Sequence, residues 1–228
     1  MNIIHGNIFA TDCQTIVNTV NCDGFMGKGL ALECRFLYPD AFTEYAAACT
    51  SGTVATGTIQ SYRAGQNMLL NFPTKRQWHL PSKIEYLDAG LRTFVETYEG
   101  LGITSVAFPL LGTQNGGLDE TRVLDLMARH LDQLPIRIEV YRHDPRLVAP
   151  YMESLILLIN SIGHTEFGAQ ARVKAPLLRA ISEAVESGAA TCIADLLSLP
   201  KVGDRTIERL FATRARLASA IDQQSLFV

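Results

Sequence analysis

The feature that most constrains the fold is a pattern that occurs twice: a short apolar segment runs directly into a glycine-rich loop. The apolar segment 15–21 (TIVNTVN) precedes a first loop, 23–29, and the segment 104–112 (TSVAFPLLG) runs into a second loop, 112–118. Apolar runs of this length between turn residues are typical of buried strands. Ligands gather at the carboxyl ends of strands in α/β sheets, so both loops are predicted to lie at a binding site.

Strand and helix patterns alternate over the first 143 residues. Helical periodicity covers 29–49, with a break at Pro39, and a later helix is predicted to be capped by Ser82. Residues 64–67 (AGQN) are predicted to form the turn between two strands. Strands that alternate with helices predict an α/β fold of three layers, α/β/α, with a mixed, partly parallel sheet.

A change in composition marks a domain boundary at 143–150 (HDPRLVAP), which contains two prolines. We therefore predict a first domain over 1–145 and a second, helical region over 151–228. Within this region, 196–211 (LLSLPKVGDRTIERLF) resembles a helix–hairpin–helix DNA-binding motif, although Lys201 occupies a position that is usually glycine.

The charge of this hairpin region is locally basic. Residues 200–216 carry five basic and two acidic side chains, a net charge of +3, which suits phosphate contacts through residues such as Lys201 and Arg205. An ordinary helical hairpin with a solvated charged face is the alternative, and a protein-binding surface is a third interpretation.

Composition excludes several classes of protein. The net charge of −3 gives no global attraction to nucleic acid, and the five cysteines lack the spacing of a zinc site. The N-terminus has no basic region followed by an apolar run, and the longest aliphatic run, 155–159, is too short to span a bilayer. We expect a cytoplasmic protein with reduced thiols that needs neither a metal nor a cofactor.

Both loops have the composition of an anion site. Their glycines allow backbone N–H groups to converge on a phosphate, and together the loops suggest clamps on either side of a diphosphate. A tight strand-to-helix turn is the alternative for each loop. Asn7, Asn18 and Asn21 stand at predicted strand ends, where an amide suits a ribose hydroxyl or an adenine edge, or simply stabilises a turn.

The segment 71–78 (NFPTKRQW) contributes a lysine at the end of an apolar strand. If Lys75 enters a cleft and loses solvent, its pKa falls and it becomes a nucleophile or an acid; a solvated loop lysine is the alternative. Trp78, the only tryptophan, either stacks on a base or covers the core. Arg76 is placed to offset a phosphate charge.

Five segments occur in a fixed order over 1–143 and together resemble the macrodomain family, an ADP-ribose-binding α/β/α fold. They are HGNIF, IVNTVN, GFMGKGLAL, NFPTKRQW and FPLLGTQNGGLD. The MGKG and NFPTK segments are similar to the branch that contains the terminal ADP-ribose glycohydrolase and the DarG antitoxin. The resemblance implies ADP-ribose or ADP-ribosylated DNA as ligand. It also implies, as a partner, a DarT-like ADP-ribosyltransferase toxin, which modifies single-stranded DNA.

The resemblance also implies roles for individual residues. In this branch the first loop contacts the distal ribose and the diphosphate, and the second loop wraps the diphosphate. Lys75 matches the lysine tied to glycohydrolase activity, and Asn21 matches the asparagine that faces the distal ribose. The residues predicted to contact ADP-ribose are Asn7, Ile8, Asn18, Gly24, Phe25, Met26, Gly27, Lys28, Gly29, Thr74, Leu111, Gly112, Thr113, Gln114, Asn115, Gly116, Gly117 and Leu118.

Three positions depart from the family pattern. The usual Gly-Asp-Ile start has Asn7 in place of the aspartate, which alters adenine recognition. Gly116 stands where the terminal glycohydrolase has an aspartate and DarG-like sequences have glycine, which favours the DNA-directed branch. Glu120 replaces a common tryptophan at the rim of the site.

The function implied is an ADP-ribosyl hydrolase that acts on nucleic acid, most directly on ADP-ribosylated DNA bases. Lys75 would either attack the distal anomeric carbon, forming a transient Schiff base, or donate a proton to the leaving base. A non-catalytic reader of ADP-ribose and an antitoxin that binds its toxin through 151–228 are the alternatives.

Overall fold

The computed structural model describes residues 1–65 and 67–225, with side chains described as far as residue 218. Gln66, part of the predicted AGQN turn, and residues 226–228 of the predicted second domain lie outside the described residues. The chain divides into two compact units, Met1–Asp144 and Pro145–Val228.

The described part of the first unit is built on a six-stranded sheet in the order β1-β6-β5-β2-β4-β3. The strands are β1 (Asn2–Gly6), β2 (Thr15–Val20), β3 (Gln60–Ala64), β4 (Asn67–Pro73), β5 (Ser105–Pro109) and β6 (Arg137–His143). Only the edge strand β3 runs antiparallel to its neighbour among these strands. The carboxyl ends of the parallel strands therefore meet at one edge, as the pairing of Gly6 with His143 and of Val20 with Pro73 shows.

Helices cover both faces of this sheet. They are α1 (Gly29–Leu37), α2 (Pro39–Thr50), α3 (Ile84–Thr97) and α4 (Glu120–Leu131), with a short 3₁₀ turn at Ile8–Ala10. Val106 and Phe108 of β5 pack in the core with α3 and α4, whereas Ala107 packs in a cluster on the opposite face that includes Leu30 of α1. This alternation along a strand buried on both faces confirms the three-layer α/β/α prediction.

Local details of the first unit both match and correct the sequence analysis. The helix break at Pro39 is confirmed, because proline begins α2 at a position that needs no backbone N–H donor. The predicted cap by Ser82 is wrong: α3 begins at Ile84, and Ser82 is 5% exposed with its N–H donating to the carbonyl oxygen of Gly116 (3.0 Å). Sequence analysis also missed β1, which is an edge strand stabilised by its pairing with the distant β6.

The described part of the second unit consists of helices: α5 (Pro150–Ile162), α6 (His164–Ala171), α7 (Ala175–Glu186), α8 (Ile193–Ser198) and α9 (Asp204–Ser225). Its core includes the fully buried Leu155, Phe167 and Ile207. No described helix of the chain is both long enough and apolar enough to cross a membrane.

A short hairpin at 199–203 joins α8 to α9, and Lys201 adopts the left-handed conformation there (φ +67°). That conformation explains why glycine is usual at this position in the motif. Arg209 donates to the carbonyl oxygen of Arg172 and Arg216 to the side chain of Gln170, whereas Lys201 and Arg205 are exposed. Part of the basic face therefore stabilises the unit itself.

Candidate active site

A cleft of about 330 Å³ opens at the carboxyl edge of the sheet. The ends of all five parallel strands contribute to it, through Gly6, Asn21, Thr74, Pro109 and Tyr141. Both glycine loops lie in the same lining, as the position of strand ends in an α/β sheet predicts. This is the size of a small-molecule site.

Most of the predicted site residues line this cleft. They are Asn7, Ile8, Asn21, Phe25, Gly27, Lys28, Gly29, Thr74, Lys75, Trp78, Gly112, Thr113, Gln114, Asn115 and Gly116. The remaining predicted residues of the first unit lie outside the lining: Asn18, Gly24, Met26, Arg76, Leu111, Gly117 and Leu118. Asn18, Met26 and Leu111 are buried and do not reach the surface of the cleft.

The first loop is held in shape by the side chain of Asn21. Its Oδ1 accepts hydrogen bonds from the backbone N–H groups of Asp23 (2.9 Å) and Phe25 (3.3 Å), and its Nδ2 donates to the carbonyl oxygen of Phe25 (2.6 Å). The Tyr45 hydroxyl of α2 donates to the backbone oxygen of Asn21 (2.8 Å). Turn stabilisation is therefore the role that the geometry displays, and a contact with the distal ribose stays a prediction.

The other two asparagines also have internal partners. Asn7 Oδ1 accepts from the N–H of Phe9 (3.0 Å) and caps the 3₁₀ turn, while the residue still lines the cleft. Asn18 Nδ2 donates to Asn71 Oδ1 (2.9 Å) between the adjacent strands β2 and β4. Asn18 is thus a buried sheet residue, whereas Asn7 remains within reach of a ligand.

The second loop is held by close packing of its backbone. A Cβ atom at Gly116 would overlap both the carbonyl oxygen of Gly112 and Oγ of Ser82. Gly112 itself has φ +65°, a conformation that favours glycine. The loop therefore has no room for a side chain at 116. The aspartate that the terminal glycohydrolase has at this position would not fit here.

Lys75 connects these two regions. It follows β4, and its Nζ donates to the carbonyl oxygen of Asn115 in the second loop (2.5 Å). The N–H of Cys22 donates to the carbonyl oxygen of Arg76 (3.2 Å), which ties the Lys75 segment to the first loop. Burial of the amine, and then the nearby charge of Lys28, lower the pKa of Lys75 below its ordinary value. The side chain is therefore a half-buried cleft lysine held against the second loop, not a solvated loop lysine.

The rim of the cleft is aromatic on one side and charged on another. Trp78 is 55% exposed and Phe25 is 61% exposed. Trp78 therefore does not cover the core. Glu120 begins α4, and its Oε1 lies 2.5 Å from Nε of Arg142. This ion pair stands where the family pattern has a tryptophan.

Sequence analysis missed several lining residues, among them Thr19, Pro109, Leu110 and Tyr141–His143. Their common signal is that they lie at or just beyond the end of a parallel strand, and β6 was itself predicted. Among the residues that the structure describes, no group of three or more His, Cys, Asp or Glu side chains is placed to hold a metal ion.

Similarity to known proteins agrees with this geometry. A family model described as "Macro domain" matches residues 17–127. The "DNA ADP-ribosyl glycohydrolase" of Mycobacterium tuberculosis is 43% identical over 134 residues, which are 57% of this chain and 38% of that protein. The chain thus spans less than half the length of this curated relative.

Two solved structures extend the comparison. The macrodomain of Thermus aquaticus DarG is 36% identical with a TM-score of 0.59, over 62% of this chain and 97% of that one. Thermosipho africanus DarTG in complex with ADP-ribose is 34% identical with a TM-score of 0.59, over 63% of this chain and 42% of that one. The cleft at the strand ends and these similarities show that the chain belongs to the macrodomain family. Its resemblance to DarG macrodomains is confirmed.

Proposed function

We propose that this protein is a hydrolase that releases ADP-ribose from nucleic acid, with ADP-ribosylated DNA bases as substrate. The observation that carries the proposal is the position of Lys75: a half-buried amine of lowered pKa in the cleft, held against the second loop. The name of the Mycobacterium tuberculosis relative, a DNA ADP-ribosyl glycohydrolase, supports the same activity.

The loops would provide binding and orientation. Backbone N–H groups of the first loop lead into the N-terminus of α1, where the helix field favours an anion. The second loop lies close to the start of this helix: a Cβ at Gly29 would lie 3.2 Å from Nδ2 of Asn115. A diphosphate held between them would fix the distal ribose in the cleft. Fixing the reacting carbon in this way removes much of the entropic cost of the reaction.

The chemistry breaks the N-glycosidic bond between the base and the distal anomeric carbon. As a nucleophile, neutral Lys75 would form a bond to that carbon while the base leaves with the electron pair and takes up the proton that the attacking amine loses. The ring-opened Schiff base would then add water and release ADP-ribose and the free amine. As an acid, protonated Lys75 would give its proton to the leaving base, and water would add to the same carbon and return a proton to the amine. The lowered pKa of Lys75 fits both routes, because it makes the neutral amine more available and the protonated amine a stronger acid.

Release of ADP-ribose from an ADP-ribosylated single-stranded oligonucleotide tests the proposal. We expect turnover by the wild type and a loss of roughly a hundredfold or more in Lys75→Ala. Lys83→Ala is the matched control, since this exposed lysine of the same unit lies outside the cleft lining. Borohydride trapping of a covalent adduct would separate the nucleophile from the acid.

Absence of turnover, or equal release by Lys75→Ala, would contradict the catalytic role of this lysine. Tight binding of ADP-ribose without turnover on DNA or protein substrates would instead identify a reader.

The second unit would serve partner binding. We propose that the exposed Lys201 and Arg205 of the hairpin contact nucleic acid and that a DarT-like toxin is a protein partner of the whole chain. In the full chain, Lys201→Glu with Arg205→Glu should weaken binding to unmodified DNA and flatten its salt dependence. Unchanged DNA binding together with co-purification of a toxin would assign the unit to the protein partner.

A further inference from the structure

Two exposed aromatic rings stand together at the mouth of the cleft. Phe25 of the first loop and Trp78 of the segment after β4 are 61% and 55% exposed. Their ring centroids are 6.1 Å apart with an angle of 33° between the planes. Single exposed apolar side chains are common, but two adjacent rings that both line a cleft form a surface suited to a flat ligand.

The backbones beneath these rings are fixed. Asp23 Oδ2 accepts a hydrogen bond from the N–H of Trp78 (2.9 Å). The amide of Asn21 bonds both the N–H and the carbonyl oxygen of Phe25. These contacts hold the two segments together without covering the rings. The rings are therefore presented at low conformational cost to whatever enters the cleft.

The charges around the rings favour nucleic acid. Lys28 and Lys75 line the same cleft, and Arg76 is exposed between Lys75 and Trp78 in the chain. Asp23 lies nearby and accepts a hydrogen bond from the Trp78 backbone, and the two acids of the lining are buried (Glu33) or ion-paired with Arg142 (Glu120). Aromatic faces next to several cations are the combination with which proteins bind single strands: the rings stack on bases and the cations meet phosphates.

We propose that Phe25 and Trp78, the aromatic pair, stack on a base of single-stranded DNA. This is the base whose bond to the ADP-ribose faces Lys75. This inference rests on the proposed function and deepens it. The cleft holds the ADP-ribose, and the aromatic pair selects the group attached to it, favouring a nucleobase over an amino-acid side chain.

The single tryptophan gives a direct measurement. In the full chain, titration with an unmodified single-stranded oligothymidine should quench Trp78 fluorescence, because a stacked base contacts the indole ring. An abasic oligonucleotide of the same length carries the same phosphates and should leave the fluorescence nearly unchanged, as should saturating free ADP-ribose.

Affinities of variants give the second measurement. Trp78→Ala should weaken binding of an ADP-ribosylated oligonucleotide about tenfold, while binding of free ADP-ribose changes less than twofold by calorimetry. Trp78→Phe keeps a ring and should recover most of the loss. Leu80→Ala removes a neighbouring exposed apolar side chain that has no ring, and should behave as the wild type.

Three results would overturn the inference. The first is quenching by the abasic strand or by free ADP-ribose that equals quenching by the oligothymidine. The second is an equal loss of affinity for the ADP-ribosylated oligonucleotide and for free ADP-ribose in Trp78→Ala, and the third is turnover of protein-linked ADP-ribose that matches turnover of the DNA substrate. The outcome is separable from that of the proposed function. Base-dependent quenching without ADP-ribose release would keep the stacking and reject the hydrolase. Release that is indifferent to Trp78→Ala would keep the hydrolase and reject the stacking.

Discussion

The first and second loops line one cleft, yet different kinds of contact hold them in shape. In the first loop, the amide of Asn21 bonds the backbone around Phe25, and positions such as Gly27 have open space beside them. In the second loop, Gly116 is pressed against Ser82 and the backbone of Gly112. A loop held by one side chain can vary in sequence at its tip, whereas a loop held by backbone contact cannot.

The largest expected effect is a difference in stability between two variants that each add one methyl group, one to each loop. Gly116→Ala should destabilise the first unit by about 2 kcal/mol, because the new Cβ meets backbone that cannot move aside. Gly27→Ala is the matched control: its Cβ meets nothing within 4 Å, so stability should be nearly unchanged. Calorimetric unfolding of the two variants measures the difference, expected at about 4–8 °C.

Adding Ser82→Gly to Gly116→Ala sharpens this comparison. Only partial recovery is expected, since the carbonyl oxygen of Gly112 still occupies the space. Equal melting temperatures for Gly27→Ala and Gly116→Ala would show that the second loop is as adaptable as the first.

A somewhat smaller effect is expected at the side chain that organises the first loop. Asn21→Ala removes the hydrogen bonds to Asp23 and Phe25 and should cost about 1–2 kcal/mol. Asn21→Asp keeps the acceptor for both N–H groups but loses the donor to Phe25, so it should fall between the wild type and the alanine variant. Thermal unfolding and ADP-ribose calorimetry would measure both losses. If Asn21→Ala kept its stability but lost ribose-dependent turnover, the amide would act on the substrate instead.

The smallest effect concerns the charge that the first loop places near Lys75. Lys28 lowers the pKa of Lys75, so Lys28→Met should raise that pKa and move the corresponding limb of the single-turnover pH profile to higher pH. The rate rises with pH along this limb if neutral Lys75 attacks, and falls with pH if protonated Lys75 acts as the acid. Lys28→Arg keeps the charge and should leave the limb in place. If both variants leave the limb at the same pH, the limb reports the titration of another group.

Much of the fold followed from local pattern. The apolar runs that end in glycine loops, the break at Pro39 and the alternation of strands with helices all depend on residues close in sequence. The strand β1 was missed because five residues with mixed exposure carry no clear period, and its stability comes from pairing with β6 more than a hundred residues away.

The candidate site was predictable in outline because strand ends converge in an α/β sheet. The contacts that its polar residues make within the protein were not predictable. Asn18 was predicted to bind ligand, but only the pairing of β2 with β4 placed it opposite Asn71. Ser82 was predicted to cap a helix because it stands just before a helical pattern in the sequence. In the structure its N–H instead contacts the second loop.

The sequence by itself determined the strand–loop–helix units, the family resemblance and the selection of Lys75 as the candidate catalytic residue. The tertiary structure decided which polar groups are consumed internally, which glycines have no room for a side chain, and that Phe25 and Trp78 share one rim. The physical reason is distance along the chain. Periodicity and turn preference act over a few residues, whereas the bond from Lys75 to Asn115 joins groups 40 residues apart. Only a formed sheet brings such groups together.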